Sequence, residues 1–139
     1  MSARTKARKR ALDALYASDV RGDDPIELLR ATEVEVADRQ NQQAIFDYAE
    51  TLIGGYQANA TQIDSELQLL ADNWSIERMP AIDRAILRLG CWEILFNNEV
   101  PNEVAIAEAV ALASEYSTDD SPKFINGVLA RLAKGTQAL

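Results

Sequence analysis

Five cations open the chain: Arg4, Lys6, Arg8, Lys9 and Arg10, with no acid among residues 1–10. Guanidinium and ammonium groups at this density are the chemistry of phosphate binding, which gives affinity by releasing counterions. At about 100° per residue, Arg4 and Arg8 share one helix face, while Lys6 with Arg10, and then Lys9, point elsewhere. Such a ring of charge is not expected to pack into a core. Residues 1–10 therefore read as a basic arm ahead of a helical domain over 11–139. The arm is either a mobile tail or a helix that folds on a phosphate backbone. A solvated tail without a ligand is the plain alternative. The net charge of −8 hides this arm, because the remaining residues carry 9 bases against 22 acids. A cationic end on an acidic body is the asymmetry of a chain that touches a polyanion at one end.

A second constellation is Asp119-Asp120-Ser121-Pro122-Lys123-Phe124-Ile125-Asn126-Gly127. Ser121 can cap a helix with Pro122 at its first position. Asp120 suits the positive end of the helix dipole. Lys123 sets a cation beside the Phe124 ring, a pairing that can hold a phosphate and stack a base. Alternatively, Phe124 belongs to the core and its neighbours only cap the helix.

Other groups carry less. The stretch 40–77 holds Asp47, Glu50, Asp64, Glu66, Asp72 and Glu77 and no base. It could meet a basic partner protein, or be a solvated face. Arg84 and Arg88, four apart, suit structural ion pairs or a second phosphate contact. Cys91 lies in an apolar run and reads as packing. Trp74 and Trp92 suit a core or a protein interface. Histidine is absent and cysteine occurs once, which removes Ser-His-Asp and Cys-His catalysis, His-ligated metals, CxxC motifs and internal disulfides. There is no Gly-rich phosphate loop and no GxSxG. The residues argue against an enzyme and call for no cofactor. No run of 18 apolar residues exists and no apolar segment follows the basic N-terminus, so the expectation is a cytoplasmic chain without a membrane span.

The elements that must position these groups are helical. Ala (22) and Leu (15) dominate a chain of 139 residues with 6 Gly and 4 Pro, a mix that favours helix over sheet. Each proline stands where a helix could start: Pro25, Pro80, Pro101 and Pro122. The spacing predicts helices over about 4–19, 25–36, 39–72, 80–96, 102–116 and 122–134. Gly54-Gly55 is the expected break of the long stretch into two. The result is one all-α domain of about seven helices, with the helix over 80–96 at its centre because apolar residues cover so much of its circumference.

These segments, in this order, resemble the NusB transcription antitermination family. They are ARKRALDALY over 7–16, WSIERMPAIDRAILRL over 74–89, WEIL over 92–95, VP at 100–101, VAIAEAV over 104–110 and DSPKFINGVL over 120–129. The resemblance implies a single compact domain of seven helices in two packed bundles and no catalysis. It implies binding to the boxA element of ribosomal RNA transcripts together with NusE, a small-subunit ribosomal protein, within an antitermination complex on RNA polymerase. The family's arginine-rich start falls on Arg4, Lys6 and Arg8, with Lys9 and Arg10 as extra bases, and its closing aromatic on Tyr16. Its RNA-contacting segment before the last helix falls on Asp120, Ser121, Lys123 and Phe124. Ala107 and Ser114 depart from the family's Asn and Lys, and Ser114 removes one possible phosphate contact. Two rivals remain. One is a domain related to the N-terminus of a ribosomal RNA cytosine methyltransferase, although the chain reaches Leu139 without a cofactor loop or catalytic cysteine motif. The other is a self-associating module, such as a homodimer, without RNA activity.

Overall fold

The computed structural model describes residues 1–71 and 75–137. Trp74 and Asp72, singled out above, lie outside the described residues. The described chain is all-helical: α1 (Ala3–Arg21), α2 (Pro25–Glu35), α3 (Gln43–Ala58), α4 (Ala60–Leu70), α5 (Ala81–Phe96), α6 (Asn102–Tyr116) and α7 (Ser121–Gln137), with a 3₁₀ turn at Ile76–Arg78. No described helix is long and apolar enough to cross a membrane.

Helix α1 starts early because Ser2 caps it, its hydroxyl accepting from the Thr5 N–H at 3.1 Å. It ends at Gly22, whose φ of 82° suits a residue without Cβ. Residues 3–10 are thus the first turns of a 19-residue helix that runs unbroken past residue 11. They do not form a separate arm. The expectation that their ring of charge could not pack is corrected by Ala7 and Arg8, both buried.

Helices α1, α2 and α3 pack as one group, and α4, α5, α6 and α7 as a second. The groups meet where α1 and α3 cover α5. Ala7, Ala11 and Ala14 form the inner seam of α1, and small residues there let it approach α3 closely. Helix α5 is the centre, with Ile86, Leu87, Leu89, Cys91 and Ile94 all buried. Burial pushes the Cys91 thiol up to about 12.

The break in the long helical stretch is at Asn59, not at Gly54-Gly55. The Asn59 side-chain amide donates to the Gly55 carbonyl at 2.8 Å, which satisfies one of the carbonyls left over at a helix end. Gly55 stays helical for a packing reason. A Cβ there would lie 2.2 Å from Nε1 of Trp92, so only glycine lets the indole seat against α3.

Candidate nucleic-acid interface

The first turns of α1 put cations at the positive end of a helix dipole, an unfavourable place for them. Three glutamates from other elements offset the cost. Arg4 pairs with Glu99 at 2.9 Å. Arg8 donates through Nε and Nη2 to the two carboxylate oxygens of Glu93, both at 2.9 Å. Glu108 accepts from the Thr5 hydroxyl at 2.7 Å and lies 3.5 Å from Arg8. Burial works against the Arg8 charge, but the hydrogen bonds and charge of Glu93, with Glu108, outweigh it and raise its pKa. The Tyr48 hydroxyl donates to Glu93 at 2.6 Å and accepts from the Asn97 amide at 3.0 Å. Burial, then Glu93, raises the Tyr48 pKa.

The remaining cations of this end face outward. Lys6, Lys9 and Arg10 line a groove of about 360 Å³ whose other walls include Arg39, Glu115 and Tyr116. Arg39 comes from the turn between α2 and α3, where Asn41 adopts a positive φ of 63°, a conformation asparagine tolerates. Lys9 is shared between Asp13, one turn along α1, and the Tyr116 ring, 4.5 Å from its centroid. Arg10 lies 5.5 Å from the centroid of the Phe46 ring. Lys6, Arg10 and Arg39 have no ion-pair partner among the described residues. Unpaired cations beside an exposed ring are the elements of a single-strand RNA site.

Tyr116 ends α6, and the next residues lead to α7. Asp83 of α5, itself buried, accepts from the hydroxyls of Ser117 and Ser121, the latter at 2.9 Å. Ser121 also contacts the Thr118 hydroxyl at 2.7 Å. This knot fixes the start of α7 to the start of α5. From there Lys123 reaches solvent, while Phe124 is half-buried against the core.

The model of the NusB family matches residues 5–134. The chain belongs to the NusB family. The transcription antitermination protein NusB of Clavibacter michiganensis subsp. michiganensis is 51% identical over 138 residues, covering 99% of this chain and 100% of its own. The protein of that name from a Nocardioides species is 45% identical over 139 residues, covering 100% and 99%. Among solved structures, T. maritima NusB matches at a TM-score of 0.84 and 33% identity over 94% of this chain and 90% of that one. A crystal structure of the antitermination factors NusB and NusE in complex with dsRNA matches at a TM-score of 0.84 and 31% identity, covering 97% and 98%. The NusB family consists of transcription antitermination factors, not enzymes.

Within this NusB fold the residues singled out from sequence divide. Lys6, Lys9 and Arg10 converge on the groove. Arg4 is half-exposed, stacked 4.6 Å from the Tyr48 ring centroid and paired with Glu99. Tyr16 shares the outer face of α1 with Lys9 and Asp13 and is 39% exposed. Asp120 and Lys123 are exposed at the start of α7. Two residues are corrected. Arg8, expected on RNA, is 4% exposed and its guanidinium is held by Glu93. Ser121, expected as a cap exposed to RNA, is 1% exposed and bound to Asp83. The backbone of α7 is tied at its start by a bond from the Phe124 N–H to the Asp120 carbonyl at 3.3 Å. Arg84 and Arg88 are structural, bound to Asp19 and Asp64 respectively.

Sequence reasoning missed Arg39 and Tyr116. Arg39 stands alone in a polar turn, and only the packing of α1 on α3 brings it opposite Lys6 and Arg10. Tyr116 has helical spacing with Ile106 and Ala113, a pattern that does not tell a core ring from an exposed one, and it is 38% exposed.

Proposed function

We propose that this NusB-family chain binds the boxA element of ribosomal RNA leader and spacer transcripts jointly with NusE. The pair then loads an antitermination complex onto RNA polymerase in the cytoplasm. The observation that carries the RNA part is the groove in which Lys6, Lys9, Arg10 and Arg39 gather beside Tyr116. Phosphates neutralise the cations and fix the register of the strand, and stacking on exposed rings supplies contact with the bases. Lys123 and the exposed part of Phe124, at the start of α7, are assigned to the RNA surface as well.

NusE docks on another face. The acidic stretch 40–77 is the candidate, because its described part has no base. Part of its charge is already used inside the chain, Glu50 by Arg30 and Asp64 by Arg88. The exposed remainder, including Asp47 and Glu77, is left for a basic partner. Crosslinks from NusE to residues 40–77 are the expected outcome, and crosslinks confined to other segments would overturn this placement. For the RNA, titration of labelled boxA and of a scrambled strand, each with and without NusE, is the direct test. A boxA preference that strengthens with NusE supports the reading, and equal binding of both strands contradicts it.

A further inference from the structure

Five cations within seven residues pose a problem of register. Leu12 and Leu15 anchor α1 further along, but within residues 3–10 only Ala7 and Arg8 are buried, so apolar shape does little there to decide which of Arg4, Lys6, Arg8, Lys9 and Arg10 turns inward. One buried carboxylate makes the choice. Glu93 is 2% exposed, and both its oxygens are occupied by Arg8, at 2.9 Å each. Its Oε2 also accepts from Tyr48 at 2.6 Å, and Asn97 holds Tyr48 in turn at 3.0 Å. The two parallel donors of Arg8 suit this fork better than an ammonium would, which disfavours Lys6 and Lys9, while Arg4 is taken up by Glu99 and Arg10 lies at the Phe46 ring. No buried side-chain polar atom lacks a partner among the described residues.

We propose that Glu93 is a positioning residue for RNA binding. By selecting Arg8 from the five cations, it sets the rotation of α1 that turns Lys6, Lys9 and Arg10 toward the groove before RNA arrives. A buried ion pair is poor support for stability as such, and its best-attested use is to fix register. The inference rests on the groove being the RNA interface, and it gives Arg8 no contact with RNA.

The experiment compares Glu93→Gln, Tyr48→Phe and Arg8→Ala with Lys6→Ala and Arg10→Ala in a salt-series titration of labelled boxA RNA. Hydrogen exchange of residues 3–10 is read in parallel. Lys6→Ala and Arg10→Ala should lower the slope of log affinity against log salt, which confirms the groove. Glu93→Gln should weaken binding about tenfold if the competent register falls to about a tenth of the population. Its salt slope should stay that of the unaltered chain, and exchange over 3–10 should quicken. Tyr48→Phe should do the same to a lesser degree, and it decides the matter if Glu93→Gln fails to fold. Arg8→Ala should also leave the slope unchanged. Folded Glu93→Gln and Tyr48→Phe variants with unaltered affinity would overturn the proposal, and so would a lowered slope in Arg8→Ala. If Lys6→Ala and Arg10→Ala change nothing, the groove itself is not the interface, a failure distinct from that of Glu93.

Discussion

Lys6, Arg10 and Arg39 are the residues on which RNA affinity should depend most simply, since none spends its charge on an internal ion pair among the described residues. Replacing any one with Ala should lower the salt slope by about 0.7, the value for one phosphate contact on a single strand; the melting temperature should stay unchanged for Lys6 and Arg39 and fall slightly for Arg10, which lies at the Phe46 ring. Salt-series titrations and thermal melts of the three variants check this. Phe124 has two roles, because its ring is packed on the core and partly exposed. Phe124→Ala should cost about 1–3 kcal/mol of RNA binding through lost stacking. It should also cost stability, though less than the ~3–5 kcal/mol of a fully buried ring. An RNA titration beside a urea melt separates the two, and full affinity in the variant would remove Phe124 from the interface. At this scale the sequence showed which residues are charged but not which way they face. Arg8 looked like its neighbours because its partner, Glu93, is 85 residues away. Ser121 looked like a cap for the same reason, its acceptor Asp83 lying 38 residues earlier.

Helix boundaries were legible where local chemistry sets them. Pro25, Pro101 and Pro122 stand at or beside helix starts because a first-turn residue needs no N–H donor. The break between α3 and α4 was not legible, since Gly55 of the pair that suggested it serves a tertiary contact with Trp92 instead. Gly55→Ala tests that contact. The new Cβ would fall on the Trp92 indole, and the overpacking should destabilise the fold by about 1–3 kcal/mol despite alanine's better helix propensity. Gly54→Ala, where a Cβ meets nothing within 4 Å, is the control and should be neutral or stabilising. Urea midpoints of the two variants decide it, and equal effects would contradict the account of α3.

Across the whole molecule, two buried groups, Cys91 and Tyr56, and the half-buried Tyr48 link stability to pH. Burial raises the pKa of the Cys91 thiol to about 12 from 9.0. Burial, then Glu93, raises Tyr48 above its ordinary 10.0, and burial raises Tyr56, with Arg88 working against it and Asp64 adding to it. The folded chain therefore keeps protons that the unfolded chain releases. Their contribution is complete below pH 9.0, the ordinary thiol value, and is lost as pH rises above it. Urea midpoints should fall through the alkaline range, whereas a flat profile would contradict the burial of these groups. The all-α class and the helix count were legible because composition and periodicity are properties of the chain alone. The groove was not, because it exists only where α1, the turn after α2 and the end of α6 meet.

The central claim is that the groove beside Tyr116 binds RNA and that NusE sharpens its choice of sequence. The most direct test is a salt-series titration of labelled boxA and scrambled RNA, with and without NusE, using the unaltered chain and the Lys6→Ala, Arg10→Ala, Arg39→Ala triple variant. The account predicts a boxA preference that grows with NusE, and a salt slope about 2 lower in the triple variant, from three lost phosphate contacts. An unaltered slope in the triple variant, or no preference for boxA in either condition, would contradict it.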